Sequence, residues 1–405
     1  MRKTSKTMVG LGTATTVVFA LGLAGTANAD YAAGPGDVVG VGSDTLQYLG
    51  NFFADGDVGG DAGFNSGAPT NRLVSYDATA DANARLAYGN GSTNAALVLL
   101  NPTVVDRAGS FPVARPNGSG SGADALAAQA AHPALQNDPN ANFARMSSPP
   151  SHAQEIAVPG GLMRVIQVAT ENLGLAVSST STHIPAAGLS AQQLVAIYQC
   201  TTTKWNQLAG NAAGSANTII PLIPQSGSGT RSKFLADLAA ANGGPAITLG
   251  SCVVTSEEND PTAIGAQSSP ADAIEPMSQS RLNLWNGTSG NGGVGYFHAP
   301  TGLTGKSGLG VLLAPGAVMA PLTGNAGDGN PAYVDNRSLY IVFNQSHCSD
   351  PAWQPGGTQN WAEALFSKCG NAALPLPYAA SPFGQPLFSA AGATPNYNDL
   401  GVNPF

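Results

Sequence analysis

Three short segments of this chain set glycine beside Ser or Thr just ahead of a helical pattern: Gly42 to Thr45, Gly118 to Gly122, and Gly227 to Thr230. The first backbone N–H groups of a helix have no partner within it, and the helix dipole leaves partial positive charge at that end. Glycine lets a ligand approach the backbone, and a hydroxyl adds a donor, so such an end can hold a small oxyanion. Taken singly, each segment also reads as an ordinary helix N-cap. Three with the same grammar, each following or near a strand, point to one shared anion held by hydrogen bonds rather than to bond making.

These segments must be positioned by strands that lead into them and helices that leave them. Val38, Val39 and Val41 form a β-branched run that stops at Gly42, and Leu46, Leu49, Phe52 and Phe53 then recur at helical spacing behind Ser43, Asp44 and Thr45. Leu73 to Tyr76 reads as a strand, followed by an Ala, Asn and Gly-rich insertion to about Arg115. The second Gly-Ser run is expected to end in a helix from about Ala123. Met163 to Val168 and Leu173 to Ser178 are strand-like, and Leu189 to Tyr198 is an amphipathic helix. Ile219 to Ile223 runs as a strand into the third segment, and Phe234, Leu235 and Leu238 mark the helix beyond it. Val294 to Phe297 and Leu339 to Phe343 are further strands, and beyond Lys368 an ordered strap is expected. Strands alternating with helices make an α/β fold.

Composition narrows the partners. Hydrophobic residues are 43% and charged ones 10% of the chain, with a net charge of −8, so no basic field exists to attract nucleic acid or an anionic membrane. An anion must then be held by local, aimed donors. Arg2, Lys3 and Lys6, an apolar run from Met8 to Ala24, and Ala27-Asn28-Ala29 together read as a secretory signal, cleaved after Ala29. As a membrane span the run is broken by Gly10 and Gly12 and falls short of the roughly 20 strongly apolar residues needed. With no Cys near the cleavage point to carry a lipid, a secreted, extracellular protein is expected. Four cysteines allow three pairings. Cys200 with Cys252 and Cys348 with Cys369 is favoured because each pair closes a modest loop in one region. Metal binding is disfavoured, since no Cys-x-x-Cys and no His at ligand spacing accompanies them.

These residues resemble the solute-binding proteins of phosphate ABC transporters, most closely their actinobacterial secreted members. Gly42-Ser43-Asp44-Thr45 and Gly118-Ser119-Gly120-Ser121-Gly122 are similar to the family's first two ligand loops, and Gly227-Ser228-Gly229-Thr230-Arg231 to the loop of its second lobe. Phe143-Ala-Arg-Met-Ser-Ser-Pro-Pro resembles the Phe-Gly-Ala-Ser-Asp-Ala-Pro segment, Thr203-Lys204-Trp205-Asn206 the Ile-Thr-Lys-Trp-Asn turn, and Gly293-Val-Gly-Tyr296 the Ile-Gly-Tyr strand. The likeness runs from about Val38 to Phe343. It implies a two-lobed periplasmic-binding-protein type II fold, with a mixed sheet flanked by helices in each lobe and hinge strands between them. Implied boundaries are a first lobe of 30–173, with its insertion at about 78–114, a second lobe of 174–334, and a return to the first lobe with the strap at 335–405. The implied function is capture of phosphate or a similar oxyanion for an ABC permease, by a monomer, without cofactor or metal. Implied ligand residues are Ser43, Asp44, Thr45, Ser119, Gly120, Ser121, Ser147, Ser228, Gly229, Thr230 and Arg231.

Two departures stand out. The family aspartate that accepts the proton of hydrogen phosphate falls at or beside Ser147, and its arginine ahead of the third loop falls at about Pro224. Arg231, Arg115 or Arg145 could supply a guanidinium instead, and Asp44 could take the acceptor role or act as a plain N-cap. Two rivals remain: a surface or scaffold protein of the same fold without a ligand, and a secreted serine hydrolase. The hydrolase reading lacks a Gly-x-Ser-x-Gly elbow and any His with a partner motif. Glu257, Glu258 and Asp260 read as a solvated acidic turn. The capture reading requires the three turns to converge on a gap not already filled by side chains.

Overall fold

The computed structural model describes residues 31–57, 60–78, 103–127, 141–178, 181, 183–185, 188–260, 262–286, 296–298, 309–311, 317–319 and 335–405. The expected signal at 1–29, residues 79–102 of the insertion, and the start of the strand expected from Val294 lie outside the described residues. The strands are β1 (Val38–Gly42), β2 (Leu73–Ser75), β3 (Thr103–Val104), β4 (Val113–Ala114), β5 (Phe143–Met146), β6 (Met163–Ser178), β7 (Ile220–Pro224), β8 (Val254–Ser256), β9 (Ala273–Ser278), β10 (Tyr296–His298), β11 (Leu309–Val311), β12 (Ala317–Met319), β13 (Asp335–Asn344) and β14 (Thr394–Val402). The helices are α1 (Gln47–Asp55), α2 (Ser119–Ala127), α3 (His152–Ala157), α4 (Ala191–Tyr198), α5 (Gly229–Ala241), α6 (Thr262–Gly265), α7 (Gln279–Asn286), α8 (Trp361–Leu365) and α9 (Gln385–Ala390).

One mixed sheet runs in the order β2-β1-β5-β13-β6-β9-β7-β8, with β12 and β14 also paired to β6. It serves two cores. In one lobe Phe53 stacks on Phe366 and Phe388 at 5.7 and 5.4 Å, in a cluster with Leu46, Phe52, Phe143, Ile166, Leu339 and Phe343. In the other, Tyr198 meets Phe234 edge-on at 4.9 Å among Leu173, Leu175, Trp205, Ile223 and Leu238. The expected disulfides Cys200–Cys252 and Cys348–Cys369 are formed, one beside each core. The C-terminal strap is ordered, as expected: α9 packs on α1, and β14 adds to β6.

Strand β6 joins the lobes. Two strands were expected here, Met163 to Val168 and Leu173 to Ser178, but the chain runs as one strand of 16 residues. Its first half packs in one core and its second half in the other, so the polar Thr170-Glu171-Asn172 that interrupts the apolar pattern marks the crossing rather than a break. β13 runs antiparallel beside it, pairing Asp335 with Leu173 through to Asn344 with Met163. At the crossing Arg337 donates to Glu171 Oε1 at 2.8 Å from Nε and 2.6 Å from Nη2. Glu171 Oε2 accepts from the Ser278 and Ser280 hydroxyls. Both groups are buried, at 3% and 4% exposure, so losing either partner would strand the other away from water.

The second lobe has its own polar anchor. Asp272 accepts from Trp205 Nε1 at 2.8 Å and Asn217 Nδ2 at 3.0 Å, and pairs with His183 and Ser269. Burial by itself would raise this carboxyl, but those hydrogen bonds outweigh it and hold it below its ordinary 3.8. A carboxyl lowered in this way adds stability that is present above its unfolded value and lost as pH falls through the folded one. Acid unfolding below about pH 4 should therefore be shallower in Asp272→Asn than in the natural chain, measured by tryptophan fluorescence. Glu171→Ala should lower the free energy of urea unfolding by about 3–5 kcal/mol, because it strands the buried Arg337 guanidinium, and Glu171→Gln should lower it by less.

Candidate functional site

The three Gly-Ser/Thr turns meet between the lobes. The first begins where β1 ends at Gly42, with φ +105°. A Cβ there would stand 2.7 Å from the Arg145 carbonyl oxygen, so only glycine lets the strand turn against β5. Ser43 then donates its N–H to that carbonyl at 2.9 Å, and Asp44–Leu46 forms a 3-10 turn ahead of α1. Arg145 lies beneath, fully buried, and its guanidinium donates to the Gly40, Gly42 and Tyr76 carbonyls and to Ser75 Oγ. Burial lowers it to about 10, against the raising influence of Asp77 and Asp44. It braces the turn from below.

The second turn enters its helix earlier than expected: α2 begins at Ser119 rather than near Ala123. Its glycines are the reason. A Cβ on Gly122 would stand 2.7 Å from the Gly42 Cα, and one on Gly118, at φ +106°, would overlap the Gly227 carbonyl. The Gly120 N–H donates to that same Gly227 carbonyl at 3.1 Å, and Ser121 lies beside Gly227. Glycines thus let the backbones of the second and third turns approach closely.

The third turn caps α5. Ser228 Oγ accepts the Arg231 N–H at 3.0 Å, an ordinary N-cap. The Arg231 guanidinium folds back to the Pro224 carbonyl at 2.8 Å, and Arg115 donates to the Asp77 carbonyl at 3.1 Å. Gly229 faces Ser119 and Ser147 so closely that any Cβ would overlap both hydroxyls. Those hydroxyls form a buried chain: Ser43 Oγ donates to Ser147 Oγ at 3.1 Å, Ser119 and Ser147 Oγ lie 3.3 Å apart, and Ser119 Oγ accepts the Ser147 N–H at 2.8 Å.

Thr45 and Thr230 approach to 3.4 Å across the interface. Between them sits a residue that the acidic-turn reading misplaced. Glu258 is fully buried, and its Oε1 accepts the Thr230 N–H at 3.1 Å and the Thr45 hydroxyl at 3.2 Å. Its Oε2 is buried with no hydrogen-bond partner among the described residues. Desolvation and the nearby Asp44 raise its carboxyl above the ordinary range, against the lowering effects of Thr230 and Arg337. Asn259, next in the chain, donates to Asp44 at 3.2 Å and to Thr45 at 3.0 Å. Asp44 is therefore buried in a polar cluster rather than serving as a plain cap, with Arg281 Nη2 at 3.5 Å.

The guanidinium aimed into this cluster belongs to Arg337, which donates to Thr230 Oγ1 at 2.9 Å and lies 3.4 Å from Thr45 Oγ1. The sequence reading passed over it, together with Glu258, Asn259 and Arg281. One signal was available: in a chain with 10% charged residues, Arg337 stands just ahead of the apolar run Leu339–Phe343, and Glu171 interrupts another. Charged residues inside strand-like runs usually have a buried partner. For Glu258 the local sequence is a polar loop, and nothing in it distinguishes a buried carboxylate from a solvated one.

The arrangement offers helix-terminal amides, hydroxyls and a guanidinium at one buried point, with one carboxylate already seated there. Among the described residues, no group of three or more His, Cys, Asp or Glu could hold a metal ion, and no helix is long and apolar enough to cross a membrane.

The model for the PBP superfamily domain matches residues 77–368. No curated protein matches the chain. Among solved structures, the ancestral soluble variant of the human phosphate binding protein is 14% identical, over 89% of this chain and 90% of its own, with a TM-score of 0.47. An ABC-type phosphate transport receptor from Vibrio cholerae is 12% identical over 89% and 100%, with a TM-score of 0.43. A phosphate-binding protein from Stenotrophomonas maltophilia is 15% identical over 89% and 90%, with a TM-score of 0.41. At such identities and scores the assignment rests on the family model, which spans well over half the sequence. This chain of two lobes, joined by paired strands and closed around helix N-termini, belongs to the PBP superfamily.

Proposed function

We propose that this chain captures a small oxyanion, phosphate foremost, between its lobes, leaves it chemically unchanged, and delivers it to an ABC-type permease. The observation that supports this is the meeting of the three Gly-Ser/Thr turns at one buried point. Solved proteins that resemble the chain carry phosphate-binding and phosphate-transport names. In this reading one lobe comprises 30–173 and 335–405, the other 174–334, and the chain acts as an exported monomer after cleavage behind Ala29. Ser43, Asp44, Thr45, Ser119, Gly120, Ser121 and Ser147 serve from the first lobe. Ser228, Gly229 and Thr230 serve from the second, Arg231 secures the end of β7, and Arg337 supplies the guanidinium. Each lobe holds half a coordination shell, so closure and capture are one event.

Binding is favoured over turnover because the clustered Ser hydroxyls partner one another. His152, His183 and His347 pair instead with Glu155, Asp272 and Asp350. One observation favours the scaffold reading: the Glu258 carboxylate stands where an anion would take the Thr230 N–H, so the gap that capture requires is already filled by a side chain.

The two readings separate on ligand-dependent melting. The purified mature protein should gain several degrees in melting temperature with phosphate at 100 times its Kd, about 2.7 kcal/mol of stabilisation. No shift with phosphate, sulfate or arsenate would establish the scaffold reading. Thr230→Val, which removes a hydroxyl that both donates to a ligand and accepts from Arg337, should raise the Kd about tenfold by calorimetry. It should also lower stability by about 1–3 kcal/mol through the unsatisfied guanidinium.

A further inference from the structure

Three carboxylates, Asp44, Glu171 and Glu258, and two guanidiniums, Arg281 and Arg337, are buried together between the lobes, none more than 5% exposed. Glu171 belongs to Arg337 at 2.6 Å. Asp44 has Arg281 at 3.5 Å, and that guanidinium also lies 4.2 Å over the Tyr48 ring. Arg145, also buried, is under the electrostatic influence of Asp77 and Asp44. Glu258 is the surplus negative charge. Asp44 and the Arg337 guanidinium act on it from nearby, but neither forms an ion pair with it among the described residues, and its direct partners are neutral: Thr45 from the first turn, Thr230 from α5, and Gln225 Oε1, which accepts the Glu258 N–H at 2.7 Å.

A buried surplus carboxylate is held where amide and hydroxyl donors are strongest, and the N-terminus of α5 is such a place. An incoming oxyanion needs those same donors, and it cannot share them with a carboxylate in a low-dielectric cleft. The loop that carries Glu258 also spans the lobes: Asn117 Nδ2 donates to Glu257 at 2.7 Å, and Asn259 reaches Asp44 and Thr45.

We propose that Glu258 is a built-in surrogate ligand, whose carboxylate occupies the α5 N-terminus and the Thr45 hydroxyl and must be displaced or neutralised before an oxyanion can bind. This rests on the capture reading and adds to it an internal competitor. Because burial and Asp44 raise the Glu258 carboxyl, a falling pH protonates it early and weakens its hold on the Thr230 amide. Anion affinity then rises toward acid pH, over and above any change in the anion's own ionisation.

The test is calorimetric titration of phosphate into the natural protein, Glu258→Ala and Glu258→Gln, at about pH 5.5 and about pH 8. The ratio of Kd values between natural and variant protein at one pH cancels the ionisation of phosphate itself. We expect Glu258→Ala to bind about tenfold more tightly at the higher pH, with the ratio shrinking at the lower one. Glu258→Gln keeps the side-chain shape without the charge, and it should give the same sign if the alanine variant folds poorly. Equal affinity in all three proteins would overturn the competitor. Weaker binding in both variants would overturn it too, by making Glu258 part of the anion's own coordination, and would leave capture intact. No binding by any of the three at either pH would overturn capture itself, and the competitor with it.

Discussion

Charge buried between two lobes has to be balanced where it lies, and that constraint organises this molecule. The Arg337–Glu171 pair sits where β6 and β13 pass from one core to the other. Removing either partner would leave a buried ion without its paired charge, a penalty of about 3–5 kcal/mol. The pair therefore fixes the register of the crossing strands relative to the cleft. It also aims the remaining Arg337 donor at Thr230. The hinge and the site are one hydrogen-bonded unit.

Around that unit, glycine sets how closely the lobes meet. Gly118, Gly120 and Gly227 place backbone against backbone, and Gly229 places α5 against Ser119 and Ser147. Side chains at these positions would hold the turns apart by roughly the size of a methyl group, enough to take hydroxyls out of hydrogen-bond range. A chain with few charged residues gains its interlobe specificity here from backbone and hydroxyl groups. Such groups need tight geometry, and the glycines provide it.

Much of this was legible in the sequence. The β-branched run ending at Gly42, the Ser and Thr behind it, and the Gly-Ser-Gly-Thr at the head of α5 announced strand, turn and helix in order, because those are local preferences written in consecutive residues. The disulfide pairs followed from loop length. Illegible were the interactions joining distant segments. Two strand-like runs around Glu171 suggested two strands, since a carboxylate in mid-strand looks like a break until Arg337, far along the chain, is placed beside it. Glu258 looked solvated because it stands in the polar run Thr255–Asp260, yet it is buried against Thr45, Thr230 and Gln225. The α2 start was read too late because glycines lower helix propensity, and here tight packing against Gly42 and Gly227 overrides that preference.

Buried charge and buried donors also account for a carboxylate at the centre of the proposed anion site. The Thr230 amide and the Thr45 hydroxyl are buried between the lobes, and each would lose about 1–3 kcal/mol if left without an acceptor. A closed cleft of this chemistry therefore needs an occupant. An anion can be that occupant, and so can the protein's own Glu258, which satisfies both donors with one oxygen and leaves its second oxygen buried without a partner among the described residues. That unsatisfied oxygen makes the internal occupant an imperfect one. A tetrahedral oxyanion, with more acceptor atoms than a carboxylate, could reach the Arg337 guanidinium and the serine hydroxyls as well. The affinity for such a ligand is then set by the difference between two occupants of the same donors, not by the donors alone.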